Sequence, residues 1–140
     1  MLSSPQCGIA CGAFMKRVTG IGGIFFKAKD PKALAAWYQR HLGFDIQNWG
    51  GAVFQAQQAD VDSAIAATNW CPFTADTDYF APSHASFMIN YRVDDLAALL
   101  AVLKAEGVTV DAKVESSEFG HFGWVFDPEG NKIELWQPPK

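Results

Sequence analysis

Two halves of this 140-residue chain follow one plan, and that repetition constrains the fold more than any single motif does. In the first half, residues 21–28 predict a strand, and Asp30 followed by Pro31 supplies a helix N-cap and a first-turn proline. Leu34, Trp37, Tyr38 and Leu42 then recur at helical spacing, and Gly43 is placed to close the helix in the left-handed conformation. In the second half, residues 87–93 predict the strand, Asp94 or Asp95 the cap, and Leu96, Leu99, Leu100 and Leu103 the stripe, with Gly107 as the stop. The separation from Asp30 to Gly43 equals that from Asp94 to Gly107, so the two helices should match in length.

Strand-like runs follow each helix: 44–49, 51–57 and 64–70 in the first half, 108–115, 121–126 and 132–137 in the second. Trp70 and Pro72 align on Trp136 and Pro138. Each half therefore reads β-α-β-β-β, and neither could bury both faces of its own sheet. The expected organisation is α+β: a single domain over 18–140, with a first module at 18–72, a linker at 72–85 and a second module at 86–138. The linker is rich in Asp, Pro and aromatic residues, and a connection of that length is usually functional or mobile. Residues 1–17, broken up by Gly, Ser, Pro and Cys, are expected to be a disordered tail.

The remaining composition excludes several classes of function. A formal charge of −4 and a pI near 5.2 oppose binding to a phosphate backbone, so no nucleic-acid partner is expected. No run is long and apolar enough for a bilayer span, so no membrane partner is expected either. Cys7, Cys11 and Cys71 fit neither a zinc knuckle nor a paired disulfide framework, and the N-terminus lacks the pattern of a signal peptide. These features predict a cytoplasmic protein. Gly20, Gly22 and Gly23 precede a strand instead of joining one to a helix, so they do not form a phosphate-cradling loop. No serine elbow or Cys–His context supports nucleophilic catalysis.

The last strand carries the chemistry. Asp127, Pro128, Gly130 and Asn131 predict a tight turn, after which Ile133 and Leu135 alternate with Glu134 and Trp136. Glu134 is thus a carboxylate on an otherwise apolar strand. It is either a strand carboxylate paired with Lys132 or Arg92, or a residue of a ligand site.

Taken in order, the strand-Asp-helix pattern with Trp37-Tyr38 and Leu42-Gly43-Phe44, the second Val93-Asp94-Asp95-Leu96 with Gly107-Val108, and the terminal Asp127-Pro128-Glu129-Gly130-Asn131-Lys132-Ile133-Glu134-Leu135 resemble the vicinal oxygen chelate superfamily of glyoxalases, bleomycin-resistance proteins and extradiol dioxygenases. The resemblance implies paired βαβββ modules curled into an eight-stranded mixed-sheet cup, usually as a homodimer. It also implies a divalent-metal site with one ligand from the first and last strand of each module. Here those positions are Gly23, Thr68 (or Ala66), Met88 and Glu134, of which only Glu134 is an ordinary ligand for such an ion. The expectation is therefore no metal and no other cofactor. The alternative, a divalent ion, would need His121 to join Glu134. His84 falls in the linker, and His41 near the end of the first helix, where an imidazolium complements the dipole.

Strand parity proposes what lines the cup instead: Phe25 with Gly23, Trp70 with Thr68, Asn90 and Arg92 with Met88, and Trp136 with Glu134, joined by Trp124. Aromatic rings with a few polar groups are the usual profile of a small-molecule site, although rings also fill cores. The first functional expectation is binding of a small aromatic or amphipathic molecule, with Arg92, Asn90 and Glu134 orienting it; the acidic chain would suit a cationic drug. The second is a lyase or isomerase acting on a carbonyl compound, with Glu134 as a base whose pKa is raised by burial and with Asn90 or Arg92 holding the enolate oxygen. A divalent-metal glyoxalase-type lyase is the third.

Overall fold

The computed structural model describes residues 17–55 and 67–140. The expected tail up to residue 16, Cys7, Cys11, Ala66 and the strand positions 56–57 and 64–66 lie outside the described residues. The elements run β1 (Gly20–Ala28), α1 (Pro31–Leu42), β2 (Ala52–Phe54), β3 (Thr68–Thr74), β4 (Phe87–Arg92), α2 (Leu96–Ala105), β5 (Thr109–Ser117), β6 (Gly120–Phe126) and β7 (Lys132–Gln137).

Both helices start and stop where their sequences direct. The carboxylate of Asp30 accepts from the Ala33 N–H at 3.0 Å, and that of Asp95 from the Ala98 N–H at 3.1 Å, each meeting one orphan donor of a first turn. Gly43 closes α1 at φ 72°, with its N–H reaching back to the Gln39 carbonyl, and Gly107 follows α2 at φ 86°. On α2 the expected stripe turns inward: Leu96, Leu99 and Leu100 are buried with Val93, Val125 and Leu135, and Leu103 packs against them. On α1 the expectation fails in part. Ala35 is its buried residue and Tyr38 meets the rings of Trp70 and Phe44, whereas Trp37 and Leu42 are 51% and 59% exposed. Trp37 packs instead on the outward rings of Tyr38 and His41.

Among the described residues the strands form one seven-stranded sheet in the order β2-β3-β1-β4-β7-β6-β5. Strands β1 and β3 are parallel, as are β4 and β7, and the two halves join where β1 runs antiparallel to β4 within one chain. This is the expected α+β arrangement with one strand fewer. Residues 44–49 form no strand: the Gly50 N–H closes onto the Gln47 carbonyl at 2.9 Å, a turn suited to Asn48, Trp49 and Gly50. No helix among the described residues is long and apolar enough to cross a membrane.

The sheet separates two apolar clusters. One lies beneath α2. The other, on the opposite face, gathers Phe80, Met88 and Trp124 with Phe25, Phe73, Tyr79 and Phe122. Each fully buried large side chain in either cluster is worth about 1.5–3 kcal/mol.

Candidate functional site

The turn before β7 sets the register of the key residue. Asp127 Oδ1 accepts the Glu129 and Asn131 N–H groups, both at 2.9 Å, and Gly130 takes φ 82°. The Asn131 side-chain amide, which donates to Asp127 Oδ2 at 2.9 Å, and then the Asn131 and Glu129 N–H groups hold the Asp127 carboxyl below its usual pKa. From this anchored turn β7 pairs in parallel with β4, which places Glu134 opposite Asn90, and antiparallel with β6, which places it opposite Trp124.

Glu134 is 1% exposed, and its carboxylate is held by three donors. Asn90 Nδ2 donates to Oε2 at 2.6 Å, Trp124 Nε1 donates to Oε1 at 3.0 Å, and the Tyr79 hydroxyl also donates to Oε1. No ion pair with Lys132 or Arg92 forms among the described residues, so the reading of Glu134 as a paired strand carboxylate does not hold. Burial pushes its pKa up, and the bonds from Tyr79, Asn90 and Trp124 oppose that shift without cancelling it. The same buried charge feeds back on its neighbours. The Cys71 thiol is pushed up to about 12 and the Tyr79 phenol is raised as well, both mainly by burial and then by Glu134.

A carboxylate offers about four acceptor positions. Three are filled here, two on Oε1 and one on Oε2, so one remains on Oε2. Asn90 Oδ1 is also buried and has no partner among the described residues. Among the described residues the cup thus holds one acceptor without a partner, Asn90 Oδ1, turned toward Gly22, and a carboxylate oxygen, Glu134 Oε2, that accepts a single bond.

Glycine makes room for Asn90. Strand β1 shifts register between Ile21 and Gly23, a bulge. A Cβ at Gly22 would lie 2.3 Å from Asn90 Oδ1 and 2.9 Å from the Trp136 ring, and one at Gly23 would lie 2.6 Å from the Phe25 ring. The Gly22–Gly23 pair thus lets strand, amide and rings approach closely, as expected of glycine inside a cup.

Phe25, Met88, Asn90, Trp124 and Glu134 come together on one face. Trp136 shares it, with its ring stacked on Phe122 at 6.1 Å and its Nε1 donating to the Phe119 carbonyl. Arg92 is buried, but its guanidinium is engaged with the backbone: Nη1 donates to the Ile21 carbonyl at 2.7 Å and to the Ala67 carbonyl. That fixes β1 against the start of β3, while Arg92 Nε stays buried without a partner among the described residues.

One placement differs from expectation, and another removes the alternative of a metal held by His121. Trp70 lies on the helix side, opposite Ile24 in the register and against the rings of Phe26, Tyr38 and Phe44. Its alignment on Trp136 therefore misjudged the pleat, and Cys71 and Phe73 face the cup in its stead. His121 also faces the helix side. It alternates with Trp124 along β6, and its Nδ1 meets Ser116 Oγ at 2.7 Å. It cannot join Glu134.

The loop between β3 and β4 supplies what sequence reasoning missed. Tyr79 stacks on Phe73 with centroids 5.6 Å apart and 9° between planes, meets Trp124 edge-on, and delivers its hydroxyl to Glu134. Phe80 beside it is fully buried. The aromatic content of residues 72–85 was the available signal, but no periodicity gives a loop side chain a direction. Lysines stand around this closure: Lys27 over Phe80, Lys132 over Tyr79 and Trp124, and Lys113 over Trp124, at 5.5–5.7 Å from the ring centroids.

A family model described as Glyoxalase/Bleomycin resistance protein/Dioxygenase superfamily matches residues 20–135. The chain belongs to this superfamily. Solved structures share its fold at low identity. A methylmalonyl-CoA epimerase from Mycobacterium tuberculosis is 19% identical with TM-score 0.59, over 91% of this chain and 93% of that one. The Streptomyces coelicolor methylmalonyl-CoA epimerase in complex with 2-nitronate-propionyl-CoA is 17% identical with TM-score 0.63, over 88% and 99%. The Mn(II)-bound glyoxalase from Novosphingobium aromaticivorans is 24% identical with TM-score 0.57, over 88% of this chain and 40% of that one. No curated protein matches the chain significantly.

A metal of the kind the superfamily implies does not fit the donors present. Gly23 has no side chain, Met88 offers a buried thioether, and the Thr68 hydroxyl is spent on the Ile21 carbonyl at 2.8 Å. What points at Glu134 is N–H and O–H, which repel a cation where lone pairs would be needed. Among the described residues no three of His, Cys, Asp and Glu cluster to hold an ion.

Proposed function

We propose that this superfamily member binds a small aromatic or amphipathic molecule in its cup, using Glu134 and Asn90 as the polar anchor and no metal. The observation that carries this reading is Asn90 Oδ1, buried without a partner among the described residues, beside a Glu134 carboxylate whose Oε2 accepts a single hydrogen bond, among Phe25, Met88, Trp124 and Trp136. An unmet buried acceptor costs about 1–3 kcal/mol, which a ligand donor would recover. The ligand is thus a ring or apolar body bearing O–H or N–H groups. It would enter as Tyr79 and Phe80 withdraw, since these two close the cup. Lys27, Lys113 and Lys132 stand at the closure, but Lys113 pairs with Glu115 at 2.9 Å and lies near Asp78, so the closure carries both signs of charge.

The test is a thermal-shift screen of phenols, anilines and their amphipathic derivatives on chelator-treated protein, followed by quenching of Trp fluorescence. Hits whose stabilisation disappears in Glu134→Gln support the reading. Hits that all survive that change, or none from a broad set, overturn it.

The raised pKa of Glu134 favours a second reading, proton abstraction from a carbon next to a carbonyl. Structures of this fold are named as an epimerase of methylmalonyl-CoA, itself a carbonyl compound. Asn90 Nδ2, the Tyr79 hydroxyl or Arg92 Nε, unpartnered among the described residues, is the donor that could meet the enolate oxygen. Turnover of a carbonyl substrate that is lost in Glu134→Gln would favour catalysis over binding alone.

A further inference from the structure

Behind the cup wall, on the helix side of the sheet, runs a groove of about 500 Å³ between α2 and the β5–β6 hairpin. Its floor is apolar: Leu96 and Leu100 pack over Gly123, where a Cβ would already lie 3.1 Å from Leu100 Cδ1. Ala97 and Ala101 are one helical turn apart and hollow out the α2 wall, while Val114, 52% exposed, forms the other. Leu96 to Lys104 spans about 12 Å of helix axis, the reach of a medium-length chain.

The polar groups of this groove share one character. In a chain of net charge −4, no acidic side chain lines it, and Lys104, which lines it, is in no ion pair among the described residues. Ser116 and His121 share one hydrogen bond, so either tautomer leaves the pair one N–H or O–H to give outward. Gln137 Oε1 is occupied by the Leu96 N–H at 2.9 Å, which leaves its amide NH₂ as a donor. The groove therefore combines an apolar bed, one positive charge and a set of donors, with no negative charge against them. A volume of this size is ordinary for a small-molecule site.

We propose that this groove is a second ligand site, separate from the cup, for an amphipathic carboxylate whose chain lies on Leu96, Leu100 and the two alanines and whose head is taken by Lys104, with the donors of Ser116, His121 and Gln137 at the far, Leu96 end of the groove. The class follows from the chemistry: an alcohol of the same length lacks the charge that Lys104 complements, and a cationic amphiphile meets that charge with the wrong sign.

Decanoate, decanol and decyltrimethylammonium, each titrated below its micelle concentration into the full chain, test this. Backbone amide NMR shifts give the location, and calorimetry gives the affinity. The expected result is saturable decanoate binding with shifts at Ala97, Ala101, Val114 and His121, and weaker or absent binding of the other two. Lys104→Glu, an exposed change that leaves the core intact, should weaken decanoate about tenfold or more. Ala101→Trp should block the groove, and Glu134→Gln in the cup should leave decanoate affinity unchanged. The proposal is overturned by absence of saturable binding, by equal affinity for all three probes, by an unaltered affinity in Lys104→Glu, or by shifts confined to the cup.

Discussion

Asn90 and Glu134 are register partners on parallel strands β4 and β7, and the amide of one donates to the carboxylate of the other at 2.6 Å. Asn90 also lies opposite Gly23 on β1, while Trp124 lies opposite Glu134 on β6. One row across the sheet thus runs from a bulged glycine strand, through an amide and an acid, to an indole. It carries the polar chemistry of the cup, and each member can be perturbed separately.

Removing the charge changes the pH dependence of stability in a defined direction. The folded-state pKa of Glu134 lies above its ordinary value of 4.5, so the folded chain holds this proton more tightly than the unfolded one. Its contribution is fully present below 4.5 and is lost as pH rises through the folded-state pKa. The stability of wild type minus that of Glu134→Gln, from urea melts across pH, should fall as pH rises through that window and then level. A difference that climbs with pH would contradict the assignment. Asp127 and Glu106, whose pKa values are lowered, act in the opposite sense and cancel in the difference.

Tyr79→Phe keeps the ring on Phe73 and deletes the hydroxyl. Denaturant melts should show a loss of about 0.5–1.5 kcal/mol, and a carboxyl carbon NMR titration should show the pKa of Glu134 moving further up, because the bond from Tyr79 is the largest influence holding it down. An unchanged Glu134 titration would mean that the loop does not close over the acid.

Gly22→Ala places a methyl on Asn90 Oδ1 and the Trp136 ring. The expected cost is about 1–3 kcal/mol in thermal or chemical melts, accompanied by movement of the Asn90 side-chain amide resonances. A neutral substitution would show that the bulge has slack that the close contacts do not suggest.

Trp70 separates the two faces of the sheet. Trp70→Leu should destabilise the first module by about 1–3 kcal/mol through its contacts with Tyr38 and Phe44, yet leave the Glu134 titration unmoved. A shifted Glu134 would return Trp70 to the cup.

Much of the fold was legible because it is local. Asp30, Pro31, Gly43, Asp95 and Gly107 specify helix ends through bonds made within a turn, and the turn from Asp127 to Asn131 fixes β7 through its own side chain. Glu134, Asn90, Met88, Trp124 and Phe25 were legible because parity within a strand is strict. Trp70 was misplaced, and the face of His121 stayed open, because parity says nothing of which face is which: that depends on a neighbouring strand's register, and a shared Trp-x-Pro spacing is too weak to set it. Tyr79, Phe80 and the engagement of Arg92 with backbone carbonyls depend on long-range contacts that no local pattern encodes. Residues 44–49 look extended in sequence, but the turn at Asn48–Gly50 takes their hydrogen bonds.

The Trp124 indole N–H, bonded to Glu134 Oε1 at 3.0 Å, reports directly on the centre of the cup. Its NMR resonance should be followed in chelator-treated protein during titration with a panel of phenols and anilines, and separately with nickel, zinc and manganese. The expected result is a saturable shift with at least one organic ligand, abolished in Glu134→Gln, and no stoichiometric response to the metals. A resonance that answers to a metal at one equivalent and to no organic ligand would contradict it.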